Sequence, residues 1–537
     1  MRGGTTAAAS GSSNAPPACP RDRAEEAATA KAGQFTGNVP DAAKVWWHSE
    51  FPSRPHSQGA RRAQECLMST TQAGTSRTPA TSCAPVRPAS RVLAADLPHH
   101  IGQQVTIEGW LHRKRELKAL TFLIIRDRTG LAQVVLPSPP EGPEGPADPA
   151  SSADPASPTN PPDLTEETVL QVTGTVTASA QAPGGAELTA PTITALSDPA
   201  QPPPFDLYRP AVTATLPVIL DHAPTTLRHP LLKAGLRIAA ASEAGFRAAL
   251  DARGFTEVHT PKIVQSATES GANVFAIDYF GQPAYLAQSP QFYKQAMVGV
   301  FERVHEVGPV FRAEPHDTAR HLAQYTSLDA EFGFITDHHD VMAMLREAIA
   351  GMVAGVAANA AAEVDLLGIK LPEIPKRIPE LQFTQAQELI ASHAGWDPRG
   401  EPDLSPADER WLGDWALREH GSDFLFVPGF PMAKRPFYTY PDPAAPGYTR
   451  SFDLIFRGLE LVTGGQRLHN HADYLAALAA RGENPAQYSG YLQVFTHGMP
   501  PHGGFAIGLE RWTARLTGAA NVRQVTAFPR DLHRLTP

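Results

Sequence analysis

Phe505-Ala-Ile-Gly-Leu-Glu-Arg-Trp512 passes from strand into helix with no loop between. Phe505 and Ile507 alternate with small residues, as along a strand, and the charged pair Glu510 and Arg511 then opens a helix. Upstream, Phe452 to Val462 reads as a strand, 380–420 as a helical insert, and Asp337 to about Val364 as a helix. Arg303 to Phe311 and Thr326 to Phe334 are expected as two strands joined by a polar loop. Leu232 to Arg253 is a long Ala-rich amphipathic helix ended by Gly254, and the strand Phe255 to His259 after it stops at Pro261. These elements place one domain over 227–537.

A second pattern precedes it. Val105-Thr-Ile-Glu-Gly-Trp-Leu-His112 alternates apolar and polar residues, Leu120 to Arg126 and Leu131 to Leu136 follow, and Asp127 to Gly130 turns between them. Thr168 to Thr177 and Glu187 to Leu196 complete five strands. Ten prolines between Pro137 and Pro162 mark an insertion over 137–163 that cannot join a sheet. Five short strands with a long loop before the fourth predict a small OB-type barrel over 91–200, and 201–226 reads as a linker. Residues 1–90 are rich in Ala, Ser, Thr, Pro and Gly, with no sustained apolar period. They are expected to be a disordered leader, with Met68 inside it as an alternative start.

Composition narrows the class further. Hydrophobic residues make up 42% and no run approaches 18 apolar residues, so a soluble chain without a membrane span is expected. The N-terminus lacks a continuous apolar core, so no secretory signal is read there. Cys19, Cys66 and Cys83 are the three cysteines, and nothing after Cys83 can form a disulfide or a thiolate zinc site. Both observations point to the cytoplasm. The net charge of −9 argues weakly against a nucleic-acid partner, but a local basic face suffices in a large enzyme.

Three separated segments then resemble the three motifs of the class II aminoacyl-tRNA synthetases. The long helix with Gly254-Phe-Thr-Glu-Val-His-Thr-Pro261 is similar to the first, Phe311-Arg-Ala-Glu-Pro-His-Asp-Thr-Ala-Arg-His-Leu322 to the second, and Gly503 to Arg511 to the third. The ending Phe528-Pro-Arg-Asp-Leu-His-Arg-Leu-Thr-Pro537 resembles the aspartyl branch in its archaeal-like form. The resemblance covers roughly Arg91 to Pro537. It implies an α+β chain: an N-terminal five-stranded OB-fold barrel, then a catalytic domain with an antiparallel sheet flanked by helices. It also implies a homodimer built on the first motif.

The family's chemistry explains the residue types. An aspartate carboxylate attacks the α-phosphate of ATP and pyrophosphate leaves, so placed cations matter more than a covalent nucleophile. The resemblance makes Arg312 and Arg511 the catalytic pair, with Arg312 bridging the α-phosphate and the substrate carboxylate. It assigns ATP to Arg312, Glu314, Arg320, His321, Leu322, Glu460, Gly508 and Arg511. Phe311 or Phe505 would flank the adenine, although both also fit a core. Mg2+ falls to Glu460 and Thr463, with Glu331 as a third candidate. Thr463 stands where the archaeal-like family usually has serine; its hydroxyl keeps the ligand atom.

Gln288-Ser-Pro-Gln-Phe-Tyr-Lys294 resembles the aspartyl signature. By that resemblance Lys294 and Arg467 hold the substrate's side-chain carboxylate, and Asp329 and Gln291 its ammonium. Arg312 and Thr463 complete the L-aspartate site, with Glu269 on a closing loop. Two cations facing one small anion disfavour asparagine, which would leave a buried charge unpaired. The rival readings are an asparaginyl enzyme, an adenylate-forming enzyme that makes a free amide, and a non-catalytic tRNA-binding relative. Lys294 and Asp329 count against the first, the barrel against the second, and Arg312, Glu460 and Arg511 against the third.

The barrel resembles an anticodon reader, with Phe122 stacking on a base and Gln133 and Glu187 on base edges. Between 111 and 130 lie six Lys or Arg against two acidic residues, an excess that suits phosphate contacts. In the archaeal-like form, strict reading of the third anticodon base goes with Trp and Lys at two positions, relaxed reading with His and Pro. Here His112 and Pro183 stand there. The expectation is aspartate loaded onto both tRNA(Asp) and tRNA(Asn), with a tRNA-dependent amidotransferase acting downstream.

Overall fold

The computed structural model describes residues 91–137, 164–266 and 273–537. The expected leader, all three cysteines, most of the Pro-rich insertion and Glu269 lie outside them.

The first described unit is a closed barrel of β1 (Gln104–Glu116), β2 (Leu120–Arg126), β3 (Leu131–Pro137), β4 (Val169–Ala178) and β5 (Ala186–Ala195), ordered β1-β2-β3-β5-β4. Only β3 and β5 run parallel, which closes the ring. Alternation buries Leu123, Ile125, Val134, Leu170, Val172 and Leu188 inside. A Cβ at Gly109 would run into the carbonyl of Arg126, so glycine lets β1 and β2 approach. On β1 the alternation fails where the β1–β2 register slips between Leu111 and Arg113, and Leu111 and His112 are both buried.

The stretch expected as a linker over 201–226 is ordered into helices from Leu216 onward. Helices α1 (Leu216–Asp221) and α2 (Ala223–Thr226) bury Ile219, Leu220, Ala223 and Thr226. Helix α3 (Pro230–Asp251) follows, its first turn capped by the His229 ring accepting the Leu231 amide.

The second domain is built on a seven-stranded sheet. Its strands are β6 (Thr256–Glu257), β10 (Arg303–Phe311), β11 (Gln324–Gly333), β12 (Phe424–Pro428), β13 (Ser451–Phe456), β14 (Leu459–Gln466) and β15 (His502–Gly508). The order is β12-β13-β14-β15-β11-β10-β6. All pairs are antiparallel except β6 with β10, so the sheet is mixed rather than purely antiparallel. The expected strand Phe255 to His259 shrinks to Thr256–Glu257, because only there does the chain pair with β10. The expected strand Phe452 to Val462 is a hairpin. Arg457 and Gly458 turn it at φ 47° and 75°, the left-handed pair that a two-residue hairpin requires. A small separate sheet joins β7 (Ile263–Val264), β8 (Ala276–Tyr279) and β9 (Gln282–Leu286).

One sheet face packs on α3, α5 (His338–Asn359) and α11 (Leu509–Thr517) through Leu328, Ala330, Leu454, Val462, Phe505 and Ile507. By length and composition α5 is apolar enough to cross a membrane. Its Val341, Leu345, Ile349, Met352 and Val356 are instead buried in this core. The opposite face is the floor of the site. Cross-strand partners there form one row, Asp453, Thr463, Ala506 and Asp329, from β13 through β14 and β15 to β11. Side chains paired across strands point to the same face, and Ala506 keeps the middle of the row low. The helical insert supplies α7 (Phe383–His393) and α8 (Pro406–His420), the latter opened by a Ser405–Asp408 capping box.

Candidate active site

Two adjoining cavities open above that row, of about 230 and 280 Å³. They share Arg312, Tyr325, Ser327, Thr463 and Ala506. All eight residues assigned to ATP line the first one: Arg312, Glu314, Arg320, His321, Leu322, Glu460, Gly508 and Arg511. Arg511 stands in the first turn of α11 and donates to the carbonyls of Arg320 and Glu460, both at 3.4 Å. Arg312 follows the end of β10, with its guanidinium 5.7 Å from the Tyr325 ring centre. Burial, then Arg511 and Arg320, push the His321 imidazole down to about 4. It is therefore neutral at pH 7 and offers hydrogen bonds rather than charge. Glu314, His316 and His321 bring ligand atoms within 4.8 Å of one another beside this cavity.

The acidic corner holds Glu460, Thr463 and Asp453. The Thr463 hydroxyl donates to Glu460 at 3.1 Å. Burial alone would raise the Glu460 carboxyl, but Arg511, Arg435 and Thr463 outweigh it and hold it low. Asp453 goes the other way: burial raises it, Arg435 pulls it back, and Glu460 raises it again. Its Oδ1 lies 2.9 Å from Arg435 Nη2 but makes no directed hydrogen bond among the described residues. A buried carboxylate oxygen left in that state, beside a second carboxylate and a hydroxyl, is a fitting donor set for a hard divalent cation. Asp453 was missed in the sequence because a lone aspartate inside an apolar strand carries no local signal.

Glu409 was missed for a similar reason. It sits on α8 of the helical insert, and its carboxylate holds Arg320 Nη1 at 3.0 Å and accepts the Glu460 amide at 2.8 Å. Nothing in an amphipathic helix shows which buried acid faces a distant loop. Glu331 is placed differently from expectation. It lines neither cavity and is fully buried, accepting from Arg467 Nε at 3.0 Å with Lys294 Nζ at 3.3 Å. Burial would raise it, but Arg467 and Lys294 keep it ionised. It serves as the anion between two cations rather than standing beside Glu460. Phe505 also differs, since its ring lies in the core on the far face. Phe311 is half-buried and lines neither cavity.

The second cavity collects Gln291, Lys294, Arg312, Thr463 and Arg467, with Ser327, Lys434 and Arg435 as further lining. Lys294, on α4 (Gln291–Phe301), reaches Asp329 Oδ1 at 2.9 Å and the Phe505 carbonyl at 3.2 Å. Arg467 donates to the Gly504 carbonyl at 3.0 Å. A Cβ at Gly504 would collide with the Glu331 carboxylate, so glycine there admits the buried ion group. Gln291 is steered from behind: its amide donates to Gln295 at 2.9 Å, and Gln295 donates to Tyr474 and His502. Burial pushes His502 down to about 4, so its neutral ring can accept that bond. Two cations and an oriented amide line a space suited to a small anion, and the buried carboxylates Asp329 and Glu331, which line neither cavity, hold the cations from behind.

On the barrel, Phe122, Gln133 and Glu187 come together. Ile124 pairs with Gln133 across β2 and β3, Gln133 with Glu187 across β3 and β5, and Gln133 donates to Glu187 at 2.7 Å. Phe122 is half-buried and alternates with buried Thr121 and Leu123, so it stands outside the barrel core. His112 is not where a regular strand would put it. The bulge turns it inward, 5% exposed, and its Nδ1 accepts from Arg126 at 2.9 Å. Arg126 in turn grips Glu167 at 2.7 Å, so one cation of the basic run is buried in an ion pair. Pro183 opens the tight turn Pro183–Gly185 before β5.

Comparison with known proteins agrees with this architecture. The family of class II tRNA synthetases (D, K and N) matches residues 217–532, and the OB-fold nucleic acid binding domain of the anticodon type matches 105–196. The chain belongs to the class II aminoacyl-tRNA synthetases. Within them it falls with the aspartate–tRNA(Asp/Asn) ligases. It is 45% identical to that enzyme of Thermus thermophilus over 83% of this chain and 100% of the relative. With the enzyme of Deinococcus radiodurans the identity is 43% over 84% and 99%. Among solved structures, asparaginyl-tRNA synthetase from Pyrococcus horikoshii bound to asparaginyl-adenylate superposes with a TM-score of 0.73. It is 27% identical, over 83% of this chain and all of that one.

Proposed function

We propose that the protein attaches L-aspartate to tRNA(Asp) and tRNA(Asn), through an aspartyl-adenylate made from ATP. The observation that carries this reading is the pair of cavities joined at Arg312, one lined by every assigned ATP residue and the other holding Lys294 and Arg467. Lys294 and Arg467 hold the side-chain carboxylate of aspartate, and Asp329 and Gln291 its ammonium. Arg312, shared by both cavities, positions the α-carboxylate against the α-phosphorus. The carboxylate oxygen bonds to that phosphorus, the bond to the bridging oxygen breaks, and pyrophosphate leaves. Arg511, Arg320 and neutral His321 take the outer phosphates and their developing charge. The 3′-terminal hydroxyl of tRNA then takes the aspartyl group and AMP leaves.

Glu460, Thr463 and Asp453 would hold Mg2+, which supplies charge neutralisation on the phosphates when bound. Phe122, Gln133 and Glu187 read the anticodon. His112 and Pro183 go with relaxed reading of its third base; because His112 is buried, it acts through Arg126 rather than as an exposed base contact. The enzyme works as a cytoplasmic homodimer built on α3, and its Asp-tRNA(Asn) passes to a tRNA-dependent amidotransferase. The deciding experiment is pyrophosphate exchange with aspartate or asparagine, followed by charging of each purified tRNA. Exchange driven by asparagine and not aspartate would overturn the reading in favour of an asparaginyl enzyme.

A further inference from the structure

A cleft of about 330 Å³ lies between the barrel and the catalytic domain and shares no lining residue with the two cavities above. The barrel contributes Trp110, Arg126 and Arg128; the approach to α3 and its first turns contribute Arg228, Lys233 and Arg237. Asp127 and Glu363 are the acidic lining residues. They do not reach all five cations. Asp127 spends its oxygens on the amides of Ala94, Thr129 and Gly130 and on the Thr129 hydroxyl. Glu363 pairs with Arg237 at 3.3 Å. Arg126 and Arg228 both hold Glu167, at 2.7 and 2.9 Å.

That leaves Lys233 and Arg128 with no side-chain hydrogen bond or ion pair among the described residues. Lys233 is half-buried, and burial, then Arg126 and Arg237, make its ammonium easier to deprotonate. Glu363 and Asp127 act the other way but form no ion pair with it, so an anion placed at this ammonium would supply the direct partner it lacks. The position narrows the ligand. Arg126 lies four residues along β2 from Phe122, about 13 Å at strand spacing. A polynucleotide held at Phe122 and reaching the catalytic cavities passes from the barrel to the catalytic domain, the two units whose residues line this cleft.

We propose that the cleft is a phosphate site, in which Lys233 and Arg128 take a backbone phosphodiester of bound tRNA. The inference rests on tRNA being the substrate. Free inorganic phosphate carries the same chemistry, so the test separates the two sources. In the double variant Lys233→Gln with Arg128→Gln, aspartate-dependent pyrophosphate exchange needs no tRNA and serves as the control for folding. With exchange retained, KM for tRNA should rise about tenfold, and the plot of log affinity against log salt should become shallower by roughly one to two. Lys233→Arg, which keeps the charge, should restore most of the loss. A tRNA KM and salt slope equal to those of the unchanged protein would overturn the proposal. So would a thermal shift with inorganic phosphate that is lost in the variant while tRNA binding is unaffected, since the site would then serve a small anion. If exchange proceeds in the unchanged protein but neither tRNA is charged, the functional reading fails first and takes this inference with it.

Discussion

Lys294 Nζ lies 2.9 Å from Asp329 Oδ1, and both side chains are 2% exposed. Each buried group has the other as a partner, and Glu331 on the same ammonium makes the group a network rather than a pair. The network ties a helix to the sheet beside the proposed aspartate pocket.

Lys294→Ala removes a partner of the substrate and leaves Asp329 facing an empty position. The expected loss in kcat/KM for aspartate is about 2–5 kcal/mol, with KM for ATP little changed. Pyrophosphate exchange at varied aspartate and varied ATP separates the two. An unchanged aspartate dependence would take Lys294 out of the pocket.

Glu409→Ala should act on the other substrate. It strips Arg320 of its carboxylate and the Glu460 amide of its acceptor. A loss of about 1–3 kcal/mol is expected, seen as a raised KM for ATP at constant KM for aspartate. Equal effects on both substrates would mean that α8 supports the fold and not the nucleotide side.

His112→Trp combined with Pro183→Lys should make the enzyme favour tRNA(Asp). The unchanged protein is expected to charge both tRNAs within tenfold of each other in kcat/KM, or about 1.4 kcal/mol. Because Arg126 donates to His112, the single change His112→Trp should also lower Tm by displacing that guanidinium from its ring partner. Equal tRNA preference before and after the double change would remove both positions from recognition.

Stability should fall on mild acidification. His112 and His502 are each depressed to about 4, both chiefly by burial. Their ordinary value is about 6.5, so the unfolded chain takes up protons first as pH falls. The contribution is complete above pH 6.5, declines between 6.5 and about 4, and levels off below. Each pKa unit corresponds to about 1.4 kcal/mol per histidine. Thermal unfolding at pH 7.5 and 5.5 should give a lower Tm at the acidic end, and His502→Gln should weaken that dependence. A Tm flat across the interval would show that these rings protonate in place.

The residues proposed to act on ATP within one motif were readable in order along the chain. Gly508 and Arg511 stand three apart where β15 becomes α11, and Arg312 to Leu322 form a continuous loop segment. Each keeps its place because local backbone geometry sets it. The five barrel strands and α3 were equally legible, since their apolar periods of two and of 3.6 survive in the sequence. The amino acids themselves therefore determined two domains, a strand-to-helix arginine and a lysine suited to an acidic substrate.

Tertiary structure alone decided the partners. Whether His112 faces solvent or Arg126 depends on a bulge, and a bulge exists only when a second strand is paired against the first. Whether Glu331 meets the nucleotide corner or the amino-acid pocket depends on Arg467 and Lys294, which arrive from β14's end and from α4. Asp453 and Glu409 joined the site for the same reason, one through cross-strand register and the other through packing of the helical insert. Periodicity tells which face of an element is buried, because burial is a property of one segment. It cannot tell which charge will be found there, because a buried charge is stable only with a partner, and the partner comes from a distant part of the chain.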